Sequence, residues 1–314
     1  MEQKTYSQQW SEYNKAQTRE KALFMKLLYD LCQNIEEPEY KFGRPKLSLS
    51  DIIFCSVFKV YSLYSGRRFT SDMKLAKKMD LITKAPHYNS IFNYLKKREL
   101  TPLLKRLIEI SSLPLKSVER DFAIDASGFS TTRFGRWFLH KHKRNVAYKI
   151  WVKAHIMVGT RTQIISAVEI TTGNDNDCPL LPKLVKETAK NFSMMEVSAD
   201  KAYSSRVNLK AISEAGAMPY IPFRKNARPT KRGGPKLWGK MWHFFNLNKE
   251  LFEQHYHKRS NSETAFHMIK SKFGDSVRSR KYRSQVNEVL CKILCHNICV
   301  VIHEMYELGI MPNF

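Results

Sequence analysis

The order of apolar and polar positions changes its period near residue 115 of this 314-residue chain. Before that point apolar residues recur at three- and four-residue intervals, as on amphipathic helices. Ser48 or Ser50 can cap a helix through IIFCSVFKVYSLY, which Gly66 ends. Thr70 or Ser71 can open a second through MKLAKKMDLI, and a third runs through SIFNYLKK after Pro86. Thr101 and Pro102 supply a cap and a first-turn proline for LLKRLIEIS. Short helices between tight turns, with Lys and Arg facing outward, suggest a helix-turn-helix-like DNA-binding module. A plain helical bundle has the same pattern. Gly43-Arg44-Pro45-Lys46 fits either minor-groove insertion or a turn before a helix.

From about residue 118 the period falls to two. RDFAIDASGF reads as a strand ending in a turn, and AYKIWVKAHIMVG and QIISAVEIT read as two more, joined at Thr160-Arg161-Thr162. CPLLPKLVKETAKN is a helix, MMEVSAD a fourth strand, VNLKAISEAG a helix with a glycine stop, and AMPYIPFR a fifth strand. A last helix runs from about Val286 to Leu308. This is a mixed α/β layout with helices covering a sheet. The expected division is a helical domain over 1–115 and an α/β domain over 116–314.

Charge narrows the partners. A formal net charge of +24 and a pI near 9.8 give a self-repulsion that a polyanion relieves. Nucleic acid comes first. An anionic membrane comes second, but no apolar run approaches the roughly 20 residues that span a bilayer. The polar start, MEQKTYSQQWSEYNK, is no secretory signal, and a cytoplasmic, nucleoid-associated protein is expected. The stretch 224–249, RKNARPTKRGGPKLWGKMWHFFNLNK, lacks acids and interleaves cations with Trp238 and Trp242. It reads as a basic loop or small insertion near 224–250, suited to phosphate contact and base stacking, or else as a basic linker. The six cysteines form no C-x2-C pair; Cys291, Cys295 and Cys299 fit a buried helix face better than a zinc site.

Candidate chemistry centres on Tyr256, Arg259, Glu263 and Lys270, spaced Y-x2-R-x3-E-x6-K. On one continuous helix all four fall within roughly 60° of a single face, beside an apolar stripe of Leu251, Phe266, Ile269 and Phe273. A carboxylate flanked by cations suits a metal ion and phosphates, and a solvated charged face has the same pattern. Metal-dependent phosphoryl transfer needs carboxylates converging from separate elements. Asp125 closes the first strand in FAID, followed by small Ala126, Ser127 and Gly128, and Asp200 closes the fourth in VSAD. Strand ends are where α/β sheets bind ligands. Asp121 lies four strand residues earlier, roughly 13 Å away, too far to share a metal. Asp175 and Asp177 sit in a polar loop and suit turn formation.

These pieces together resemble insertion-sequence transposases of the DDE type, with an RNase H-like catalytic domain. FAIDASGF resembles the first-aspartate strand of that family. VSADKAYSS followed by EAGAMPYIPFRKNARP resembles the second-aspartate block, and the Y-R-E-K spacing is the third match. GRPKLSLSDIIFCSVFKVYSLYSGRRF with PHYNSIFNYLKKREL resembles the N-terminal helical domain. Two departures, Ala126-Ser127 and Ala202 where glycine is common, keep small residues and do not read as inactivating.

The resemblance implies an RNase H-like mixed sheet flanked by helices, with an all-helical N-terminal domain. It implies that Asp125, Asp200 and Glu263 hold two Mg²⁺ ions, with Mn²⁺ an alternative. Tyr256, Arg259 and Lys270 would grip backbone phosphates, with Lys201, Arg224, Lys225, Trp238 and Trp242 as further DNA contacts. The implied activity is cutting at the ends of the protein's own mobile element and joining the 3′-hydroxyl to target DNA. The implied partners are double-stranded DNA (terminal inverted repeats and target) and a second copy in a synaptic complex. A silent DNA-binding regulator and a nuclease of the same fold are the alternatives.

Overall fold

The structure is a computed structural model that describes residues 9–37, 39, 42, 47–131, 141, 151–229 and 236–314. Gly43-Arg44-Pro45-Lys46, the first eight residues, the 147–150 start of the second strand run and 230–235 of the basic stretch lie outside the described residues.

Helices α1 (Trp10–Cys32), α2 (Leu49–Ser62), α3 (Gly66–Lys78), α4 (Tyr88–Tyr94) and α5 (Leu100–Ser112) precede the sheet. Ser48, rather than Ser50, caps α2: its Oγ accepts from Asp51 N at 3.3 Å. The Glu37 carboxylate takes the neighbouring amides of Leu49 and Ser50 at 2.7 and 3.0 Å. Gly66 does not end α2. The helix stops at Ser62, with Leu63 left-handed at φ 57°, and Gly66 opens α3 under a Ser65 cap. Close approach explains the glycine, because a Cβ there would meet Phe92 Cζ at 2.8 Å. Thr70 and Ser71 lie inside α3, their hydroxyls donating back to Gly66 O and Arg68 O. Thr101 likewise sits within the first turn of α5 and bonds Asn287 at 2.7 Å.

The sheet holds β1 (Asp121–Ser130), β2 (Trp151–Gly159), β3 (Ile165–Thr172), β4 (Glu196–Ala199) and β5 (Met218–Tyr220), in the order β3-β2-β1-β4-β5. The first three pair antiparallel, β4 runs parallel to β1, and β5 parallel to β4. Helices α6 (Leu181–Ala189), α7 (Arg206–Glu214), α8 (Lys236–Leu247), α9 (Lys249–Tyr256), α10 (Ser260–Phe273) and α11 (Tyr282–Glu307) complete the chain. This is the mixed sheet flanked by helices, with a helical N-terminal region, that the sequence implies.

Alternation along β1 separates two cores. Phe122 and Ile124 face a cluster with Leu184, Leu209 and Met241 from α6, α7 and α8. Ala123 and Phe129 face α10 and α11 and join a cluster that continues into α1, α2 and α5. The N-terminal helices and one sheet face therefore share one apolar interior. Asn297 of α11 ties them further: its Nδ2 donates to Ile108 O and Ile165 O, and its Oδ1 accepts from Ile165 N. Contrary to the sequence expectation, α11 is long and apolar enough to cross a membrane, with mean hydropathy 1.4, but 89% of that window is buried inside the protein. Its apolar surface is spent on the α1, α2 and α5 side chains. Cys291 and Cys295 lie in this buried surface, as expected.

Candidate active site

Register places the two aspartates side by side. The parallel pairing of β1 and β4 ends at Ile124↔Ala199, so Asp125 and Asp200 are the next residue on each strand. Neighbouring strands lie about 4.8 Å apart, and parallel partners point to the same face. Asp125 is not at the end of β1, as the sequence suggests. The strand continues to Ser130 because β2 keeps pairing with it, while four-residue β4 stops. Asp125 therefore sits where one edge of a continuing strand is released. Its Oδ1 accepts from Ala126 N at 2.8 Å, and Asp200 Oδ1 accepts from Lys201 N at 2.6 Å.

Odd positions of β1 face the C-terminal helical segment, which runs the same way. Lys258 Nζ reaches Asp121 Oδ2 and Glu196 Oε2, both at 2.7 Å. Arg259 Nη1 lies 3.9 Å from Asp125 Oδ2, and Ser262 Oγ lies 3.5 Å from the same oxygen. Lys270 Nζ donates to Ser127 Oγ at 2.6 Å. Glu263 is held on the outer side of Arg259, its Oε1 2.5 Å from Nη2. Arg259 thus stands between two of the three expected carboxylates.

The four signature residues do not share one unbroken helix. Tyr256 ends α9, His257–Arg259 form a 3₁₀ turn, and α10 starts at Ser260. Three residues at about 120° rather than about 100° add roughly 60° of rotation. Leu251 consequently leaves the apolar stripe and is exposed, while Phe266, Ile269 and Phe273 remain buried. Tyr256 still stays beside the site, stacked on Phe252, with the Arg259 guanidinium 5.9 Å from its ring centre.

The electrostatics reflect the crowding. Burial raises the Asp125 carboxyl; Ala126 N and Arg259 oppose this, and the charges of Glu263 and Asp200 add to it. Burial lowers the Lys270 amine, with Asp275 and Asp125 opposing. The Lys270 ammonium lies 5.5 and 5.9 Å from the ring centres of Phe129 and Phe266. Tyr203, from the D-K-A-Y stretch, is buried next to this acid group, and its hydroxyl has no hydrogen-bond partner among the described residues.

The remaining expected contacts fall elsewhere. Lys201, Arg224 and Lys225 are exposed near the end of β4 and after β5, with Arg224 Nη2 3.4 Å from Ala202 O. Part of the expected basic loop is helix α8. Trp238 and Trp242, both half-buried, pack against the outside of the second core, and their indole N–H groups donate to Arg228 O and Ala227 O. The indoles thus tie α8 to the 227–228 backbone. Sequence reasoning overlooked Lys258, whose i−1 place beside Arg259 was the available signal, and Ser262, hidden among neighbouring polar residues. Asp175 does form a turn, accepting from Thr172 N and Oγ1 at 2.9 Å.

The donor set fits divalent cations in kind: hard carboxylate oxygens from β1, the end of β4 and α10, mutually repelling and only partly neutralised by Arg259. Among the described residues the three carboxylates are not already drawn together as a closed ligand set; the group that is consists of His303, Glu304 and Glu307 on α11. Glu263 is instead paired with Arg259.

An α/β protein with two aspartates side by side where parallel strand pairing stops, under a cation-bearing helical segment, is the class that fold and site define. Residues 116–298 match the family model described as Transposase DDE domain, and the chain belongs to that family. The chain is also similar to a piggyBac transposase in a cryo-EM structure of its synaptic complex with hairpin DNA. That match has 12% identity and a TM-score of 0.44 over 93% of this chain and 74% of the other, a likeness too slight to bear on function.

Proposed function

We propose that this transposase cuts DNA at the ends of its own mobile element and joins the freed 3′-hydroxyl to target DNA. The observation that carries this is the adjacency of Asp125 and Asp200 at the released edge of β1, with Arg259 beside Asp125 and Glu263 paired to the outer side of Arg259. Asp125, Asp200 and Glu263 would hold the divalent ions, Mg²⁺ or Mn²⁺, two in number for in-line displacement. When bound, such ions neutralise charge on the scissile phosphate and make water or a 3′-hydroxyl a better nucleophile.

The chain's own residues position the DNA. Arg259 can exchange its carboxylate partners for a phosphate, which it takes through two parallel N–H bonds. That exchange releases Glu263 toward the other acids, so DNA arrival and assembly of the ligand set are coupled. Lys270, held against Ser127 with its ammonium near two aromatic rings, offers a fixed point charge. Tyr256 donates one hydrogen bond without adding charge. Exposed Lys201, Arg224 and Lys225 extend the cationic surface from the strand ends, and the N-terminal helices add further DNA contact. Two element ends must be joined, so a homodimer is the expected working unit.

The test is cleavage and joining of end-containing DNA by purified protein with Mg²⁺ or Mn²⁺. Asp125→Ala, Asp200→Ala and Glu263→Ala should each abolish both products while leaving DNA binding measurable. Intact cleavage in all three variants would refute the assignment. Nicked DNA without joined product would make the protein a nuclease.

A further inference from the structure

Away from the carboxylates, α2, α4, the 274–281 segment and the start of α11 enclose a cavity of about 730 Å³. Six cations line it, against one acid, Glu288. That acid is already committed, since its two oxygens accept from Arg278 N and Ser279 N at 2.8 and 2.9 Å. Lys59 is the unusual member. It projects from the last turn of α2, is 8% exposed, and its ammonium makes no hydrogen bond or ion pair among the described residues. The ammonium itself opens to the cavity, and a mostly buried cation without a counter-ion is costly. Burial, and next the charge of Arg278, hold its amine down at about 8. The helix dipole favours a cation in that last turn, yet no acid pairs with this one among the described residues.

The cavity also has the shape chemistry of a nucleotide. Leu63, Phe92 and Phe273 give it an apolar wall, while Lys96 and Lys281 stand exposed at its mouth. Its volume falls within the range of small-molecule sites, roughly 300–1,000 Å³. It is connected to the candidate active site through α10, which carries Glu263 in its first turn and Phe273 at its end. Those ten residues span about 15 Å, the rise of four or so nucleotides at about 3.4 Å each. Lys270 of the candidate site and Lys292 of the cavity also approach one buried ring, Phe129, at 5.5 and 5.4 Å from its centre.

We infer that this cavity is a second DNA site, in which Lys59 holds a backbone phosphate of the strand that passes the carboxylates, with its sugar against Phe92 and Leu63. This rests on the proposed DNA function but not on the catalytic role of the carboxylates. It gives the N-terminal helices a defined grip on the same strand.

The experiment measures anisotropy of a fluorescein-labelled DNA duplex with the full-length protein over a salt series, for wild type, Lys59→Met and Lys281→Glu. Lys59→Met should bind about tenfold more weakly or worse, with the salt slope reduced by about one. Its Tm should match or exceed that of wild type, which a purely structural lysine would not allow. Exposed Lys281→Glu should fold normally and also weaken binding, keeping the inference open to refutation if Lys59→Met unfolds. Wild-type affinity and slope in both variants would overturn the inference and leave the DNA function standing. Failure of the wild type to bind duplex would overturn both. Displacement of the duplex by micromolar thymidine 5′-monophosphate would make a free nucleotide the occupant and overturn the strand assignment.

Discussion

Replacing Arg259 by Met should tighten, not weaken, the binding of Mn²⁺ to the DNA-free protein. The guanidinium lies 3.9 Å from Asp125 Oδ2 and 2.5 Å from Glu263 Oε1, so it competes for two of the three proposed ligands. Two unit charges at that longer distance interact by up to about 4 kcal/mol at an effective dielectric of about 20. Desolvation of both groups offsets most of this. The Glu263 carboxylate is 59% exposed, and its pair with Arg259 adds under about 1 kcal/mol. A net release of about 1.4 kcal/mol corresponds to a tenfold lower Kd. Methionine keeps an apolar stem beside Tyr256, so the local packing should survive. Electron paramagnetic resonance titration of free Mn²⁺ reads the affinity directly, with Glu263→Gln as the control that should lose it. An unchanged or weaker Mn²⁺ Kd in Arg259→Met would refute the view that Arg259 occupies the ligand set before DNA arrives.

Asp125→Asn should raise Tm near pH 7 by about 2–4 °C, because the folded protein holds this carboxyl above its ordinary value. Such a group's stability contribution is full below the ordinary carboxylate range and is lost as pH rises through the raised value, so the gain should vanish at low pH in calorimetry. Lys270→Met should fold, keeping its contacts with Phe129 and Phe266, but should weaken duplex binding and lower the salt slope by about one. Lys258→Met should cost about 1–2 kcal/mol in urea unfolding, because Asp121 and Glu196, paired in register, lose their shared cation. Gly159→Ala should cost about 2 kcal/mol or more in the same assay, since its Cβ would meet the buried Glu119 Cδ at 2.3 Å.

Sequence reveals what is written in period and spacing. The five strands and most helices follow from local alternation, and the family follows from FAID, ADKAY and the Y-R-E-K run. What it hides is set by partners distant in the chain. Gly66 looks like a helix stop until Phe92 is seen against it. Asp125 looks like a strand end because pairing with β4 does stop there, while pairing with β2, invisible locally, carries the strand five residues further. Trp238 and Trp242 look like part of a basic loop, whereas they stand on a helix whose inner side packs on α6 and α7, far upstream. The signature quartet shows the same limit most sharply. A helical wheel aligns the side chains only if the helix is unbroken, and Lys258, absent from the wheel argument, binds Asp121 and Glu196 at the break. That anchor fixes the 3₁₀ turn to the start of β1 and β4, and the turn in turn sets Arg259 over Asp125. The short helix break is therefore the element that converts a spacing in sequence into a juxtaposition of cation and acids.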